Sequence, residues 1–87
     1  MARVELYTTA ICPFCVRAKR LLQARGIAYE EIDVGDDPEL RAEVMAKSGG
    51  RRTVPQIFID GRSIGGYDEL SALDVAGELA GLIGPAQ

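Results

Sequence analysis

The chain has no histidine, no tryptophan, only two cysteines and no excess of positive charge. A four-ligand zinc site would need two more soft ligands beside Cys12 and Cys15, and without histidine or a third cysteine there are none to recruit. No metal is therefore expected. Two cysteines this close in sequence also make a poor structural staple, because closing so short a loop stabilises a fold by only about 2 kcal/mol. With a net charge of −3 and a sequence pI near 4.8 there is no global positive field to condense on phosphate backbones or anionic lipid, so nucleic acid and membrane surfaces are not expected partners. A run of ~18 apolar residues, the minimum for a membrane span, does not occur. The opening Met1-Ala2-Arg3-Val4-Glu5 puts charges where a signal peptide carries its apolar stretch, so a soluble cytosolic protein is expected.

What is present is an ordinary globular composition. A hydrophobic content of 47% beside 26% charge argues against disorder. The 87 residues leave room for one modest core and are read as a single domain, 1–87. Arg3 to Thr8 alternates in the manner of a strand, and from Pro13 the positions Cys15, Ala18, Leu21 and Leu22 recur at helical spacing up to about Arg25, with Gly26 as cap. Ile27 to Val34 reads as a second strand with one wet face. Asp37-Pro38-Glu39 is a helix start, with the stop at Ser48-Gly49-Gly50. Thr53 to Ile59 is a third strand, joined through the hairpin turn Asp60-Gly61 to Arg62-Ser63-Ile64, and apolar residues from Leu70 to Leu82 continue as helix. The expected order is β-α-β-α-β-β-α, an α/β fold with a mixed four-stranded sheet flanked by helices.

Three motifs carry the chemistry. Cys12-Pro13-Phe14-Cys15 stands at a strand-to-helix junction, where the first sulfur meets the free N–H groups and positive end of the helix, a setting that favours a thiolate. Cys15, one turn further on the same side, is placed to attack a mixed disulfide formed at Cys12. Thr53-Val54-Pro55 puts proline at the entry of a strong strand, which suggests a turn with a cis Val54-Pro55 bond, or else a trans proline that simply starts the strand. The cis form would turn the Val54 backbone outward to pair with an extended peptide. In Gly65-Gly66-Tyr67-Asp68 the glycines permit close backbone approach, and Asp68 either caps the next helix or holds a ligand ammonium. Arg51 and Arg52, and more distantly Arg41 and Lys47, are candidate cations for ligand carboxylates, though a solvated surface is the usual lot of such residues.

Taken in this order and at these separations, the three motifs resemble a dithiol glutaredoxin of the short bacterial type, and Pro55-Gln56-Ile57-Phe58-Ile59-Asp60 adds to the likeness. The resemblance implies a thioredoxin fold and a monomer that uses glutathione as co-substrate to reduce protein disulfides and glutathione mixed disulfides. It makes Cys12 the nucleophile and Cys15 the resolving thiol. Thr53 and Val54 would line the glutathione backbone beside a cis Pro55, Gly66, Tyr67 and Asp68 would receive its γ-glutamyl end, and Phe14 would flank the sulfur. Glutathionylated or disulfide-containing proteins, ribonucleotide reductase among them, are the implied partners. Two positions depart from the pattern: Thr9 stands where many members carry lysine, shifting the burden of charge to the helix end and to Arg51 or Arg52, and Phe14 stands where tyrosine is commoner. The rival readings are an iron–sulfur carrier, whose dimer would hold a cluster through Cys12 and glutathione, and a redoxin reduced by thioredoxin reductase.

Overall fold

The computed structural model describes residues 2–83. Strand β1 (Val4–Thr8) leads into helix α1 (Pro13–Ala24), strand β2 (Glu30–Asp33), helix α2 (Pro38–Lys47), the hairpin β3 (Gln56–Ile59) and β4 (Arg62–Gly65), and two final helices, α3 (Tyr67–Val75) and α4 (Leu79–Ile83). The sheet order is β2-β1-β3-β4. β1 runs parallel to β2 and antiparallel to β3, with Leu6 opposite both Glu31 and Ile57. A register shift between Ile57 and Phe58 loosens the β3–β4 ladder.

Alternation along the two central strands divides the core between the faces of the sheet. Val4 and Leu6 of β1, with Ile57 and Ile59 of β3, pack against Ala18 and Leu22 of α1, Leu70 of α3, and Leu79 and Ile83 of α4. Tyr7 and Phe58 point the other way and meet Val44 of α2 and Val34. Their rings touch edge to face, 5.5 Å between centroids. Both helix starts follow the sequence reading, with Asp37 accepting from the Leu40 N–H at 3.0 Å ahead of Pro38.

The element order matches the expectation up to β4, and three boundaries differ by more than one residue. The second strand begins at Glu30 rather than Ile27 because α1 closes in a Schellman motif: the Gly26 N–H donates to Gln23 O and the Ile27 N–H to Leu22 O. Ile27 still enters the core, as the apolar contact of that cap. The third strand begins at Gln56 rather than Thr53, since Thr53-Val54-Pro55 forms a loop whose Val54-Pro55 bond is cis. The last helix is two helices: Gly77, at φ +76, ends α3 and turns the chain into α4. The Asp60-Gly61 turn forms as expected, both residues adopting positive φ (52 and 78).

Candidate active site

Cys12 is the N-cap of α1, with extended backbone (φ −150, ψ 101), and its sulfur accepts the Cys15 N–H at 3.1 Å. Proline at the first helical position removes a donor that would have no partner there, and no acidic side chain occupies the first turn. The helix start thus turns its positive dipole end and one amide N–H toward this sulfur. As a thiol, Cys12 donates to the Val54 carbonyl at 3.6 Å, across 42 residues of sequence, which fixes the cis-proline loop against the start of α1. The carbonyl of Val54 thus faces the nucleophile rather than open solvent. Its N–H makes no hydrogen bond among the described residues.

Cys15 is the opposite kind of thiol. It is 2% exposed. Burial, followed by its hydrogen bond with Cys12, pushes its pKa up to about 12, while a backbone hydrogen bond from Thr9 works against that rise. Thr9 therefore supports the buried sulfur through its backbone.

Beside Cys12 runs a groove of about 280 Å³. All seven positions that the motifs single out for a ligand, Phe14, Thr53, Val54, Pro55, Gly66, Tyr67 and Asp68, line it. Gln56, buried at the start of β3, holds the loop by donating from its amide to Thr53 O at 2.8 Å. Across the groove, Phe14 and Tyr67 approach to 6.3 Å between ring centroids. Pro55 O lies 3.3 Å from where a side chain on Gly66 would begin, so glycine here is what lets the loop and the α3 start come together.

Of the two roles the sequence left open for Asp68, capping is not the one it takes, and Glu69 fills it instead. The Glu69 carboxylate accepts the Gly66 N–H at 2.7 Å and pairs with Arg51 at 2.7 Å. The carboxylate is held below the ordinary range by the Gly66 N–H first and by Arg51 as well. Arg51, a candidate for ligand carboxylates, is thus already engaged by Glu69. The Asp68 side chain makes no hydrogen bond or ion pair among the described residues, and Asp68 lines the groove. The sequence did carry a signal for Glu69, a glutamate at the third helical position, the spacing at which such a side chain reaches back to the cap. Arg52 and Arg41 meet elsewhere, the Arg41 side chain donating to Arg52 O at 3.5 Å. No group of three or more potential ligands converges among the described residues to hold a metal ion.

An accessible sulfur at a helix start with a buried, protonated one beneath it is equipped to exchange disulfides, the first attacking and the second taking over the bond. On the four-stranded sheet with its cis-proline loop, this defines a thiol–disulfide oxidoreductase of the thioredoxin fold. Solved structures agree: the chain is similar to a glutaredoxin from Brucella melitensis (TM-score 0.85, 48% identity, 95% of this chain and 89% of that one) and to buckwheat glutaredoxin in complex with glutathione (TM-score 0.84, 28% identity, 92% and 74%). The sequence profile of the Glutaredoxin family matches residues 4–64. A glutaredoxin of Pseudomonas aeruginosa is 51% identical over 83 residues, covering 95% of this chain and 98% of its own length, and glutaredoxin 3 of Escherichia coli is 49% identical with 95% and 99% covered. The chain belongs to the glutaredoxin family.

Proposed function

We propose that this glutaredoxin draws its electrons from glutathione and reduces both glutathione mixed disulfides and protein disulfides. The observation that carries the reading is the groove itself: its seven expected positions gather on one wall-to-wall surface beside Cys12 and match a γ-glutamyl tripeptide in chemistry. The free Val54 N–H suits the backbone of a cysteinyl residue in extended form. The unpaired Asp68 carboxylate suits an α-ammonium, and the N–H groups opening α3 suit the adjacent α-carboxylate.

On a glutathionylated substrate, the Cys12 thiolate attacks the glutathione sulfur. One S–S bond breaks and one forms, leaving glutathione on Cys12 and releasing the substrate thiolate, which takes a proton from water. A second glutathione thiolate then attacks the glutathionyl sulfur, giving glutathione disulfide and free Cys12. Ionisation of Cys12 also withdraws the proton it shares with Val54 O, freeing that carbonyl for an incoming peptide N–H. On a protein disulfide, Cys12 forms the mixed disulfide and the Cys15 thiolate attacks the Cys12 sulfur, releasing a dithiol and leaving a Cys12–Cys15 bond that two glutathiones reduce. The cytosol, reducing and rich in glutathione, is where this cycle runs, with disulfide-bearing reductases such as ribonucleotide reductase within its chemical reach.

The test is turnover of a small glutathione mixed disulfide, coupled through glutathione reductase to NADPH consumption. Wild type and Cys15→Ser turn over, and Cys12→Ser does not. An inactive wild type overturns the glutathione reading and directs attention to thioredoxin reductase as donor or to cluster binding.

A further inference from the structure

The exposed side of α1 around the nucleophile bears features that a tripeptide in the groove does not use. Four large hydrophobic side chains are exposed among the described residues: Ile11 (93%), Phe14 (49%), Val16 (42%) and Val75. Three of them lie within four residues of Cys12. Single exposed apolar residues need no explanation, but a cluster around a reactive atom marks a contact surface. Ile11 and Val16 lie outside the groove lining.

Charge is arranged on the same surface. The net charge of the chain is −3, yet α1 carries Arg17, Lys19 and Arg20 and no acidic residue. Lys19 is taken by Glu31 at 3.1 Å. Arg17 and Arg20 form no ion pair among the described residues, and the Arg17 guanidinium lies 5.2 Å over the Phe14 ring. Spaced at i, i+4 and i+7, Pro13, Arg17 and Arg20 share the helix face opposite buried Cys15, Ala18 and Leu22, with Phe14 and Val16 on its two flanks. The result is an apolar collar with two uncompensated cations, set in an acidic protein.

We propose that this collar docks protein substrates, and that its occupant is a segment whose target cysteine is flanked by an apolar and an acidic residue. The assignment deepens the reading of the protein as a disulfide reductase, by naming a substrate class, and does not depend on glutathione. An acidic flank meets Arg17 and Arg20, while a basic flank meets like charge on two cations that form no ion pair among the described residues, so discrimination works through both attraction and repulsion.

The experiment uses mixed disulfides of thionitrobenzoate with three thiols: a short peptide with Leu and Glu flanking its cysteine, the same peptide with Lys for Glu, and 2-mercaptoethanol. Attack by fully reduced protein on the peptide sulfur makes a Cys12–peptide disulfide and releases coloured thionitrobenzoate, so no glutathione is needed. The expected rate constant for the acidic peptide exceeds that for the basic one by about tenfold at low ionic strength, a gap that high salt narrows. The Arg17→Glu/Arg20→Glu variant inverts that order while the 2-mercaptoethanol compound reacts within about twofold of wild type, the size of change that carries no docking term. Ile11→Ser slows both peptides alike. Equal rates for the two peptides, or a preference that survives the double charge reversal, overturns the proposal. Failure of the glutathione reading shows separately, in the coupled assay, and leaves these rates unaffected.

Discussion

Replacing Glu69 by alanine removes in one step the acceptor of the Gly66 N–H and the counter-charge of Arg51, both at 2.7 Å. Loss of a side-chain acceptor at a helix N-terminus costs about 0.5–2 kcal/mol. The ion pair adds at most about 1 kcal/mol and belongs at the low end of that range, because the Arg51 and Glu69 side chains are 42% and 40% exposed and water screens them. Together the loss is about 1–2 kcal/mol, which for a domain of this size lowers Tm by about 4–16 °C. Glutamine keeps an oxygen for the Gly66 N–H and gives up only the charge, so Glu69→Gln should lose less than half as much. Thermal unfolding followed by far-UV circular dichroism at neutral pH measures all three proteins. Acid supplies a second check. Since the folded protein holds this carboxylate below its ordinary range, its contribution is complete above about pH 4.3, the unfolded value, and disappears as pH falls through the folded one. Wild type and Glu69→Ala should therefore converge in acid. An alanine variant that melts within about 1 °C of wild type, a glutamine variant as damaged as alanine, or a gap that widens in acid would refute the assignment.

Three further outcomes follow from the same contacts. Gly65 sits at φ +117, and a methyl group there would begin 2.5 Å from the Glu69 carboxylate and 2.9 Å from Arg51, so Gly65→Ala should cost about 1–3 kcal/mol in denaturant unfolding and less in a Glu69→Ala background, where part of the clash is gone. Burial, the first cause of the raised Cys15 pKa, persists when Cys12 is tied up in a mixed disulfide even though the contributions of Cys12 itself do not, so resolution should accelerate as pH rises above neutrality, and a flat profile in stopped-flow measurements would count against Cys15 as the resolving group. Arg25 grips Asp74 with two bonds of 2.8 and 2.9 Å, joining the end of α1 to α3, and Arg25→Ala should lower the urea midpoint only slightly, because water screens an arginine that is largely exposed.

Much of this was legible in the residues, for reasons that are local. A cap, a proline and a cysteine pair announce the start of α1 within four positions, and Asp60-Gly61 announces a hairpin in two. The proline at 55 pointed to a turn with a cis bond or to a trans proline starting the strand, and the structure holds the cis form. What alternation misjudged was extent. Ile27 and Tyr29 look like strand residues since both are needed by the core, but the Ile27 N–H is already committed to Leu22 O and cannot join a ladder. Reading Leu70 to Leu82 as one helix overlooked phase: six residues separate Leu73 from Leu79, about 240° on a helix, so the leucines on the two sides of Gly77 do not share a face, and Gly77 turns the chain between α3 and α4. Asp68 and Glu69 are neighbours of similar chemistry. Glu69 reaches back to Gly66 because it stands at the third helical position, while its pairing with Arg51, eighteen residues away, could not be read from the sequence.

The burial of Cys15 changes how many thiols this protein presents to the outside. To an alkylating reagent or an oxidant too large to enter the fold, the folded chain is a single-thiol protein, and only unfolding brings the count to two. Damage that would otherwise strike either sulfur is thus confined to Cys12, the more exposed of the two. The second sulfur is kept in reserve, reachable only from within, and is spent only after the first has committed.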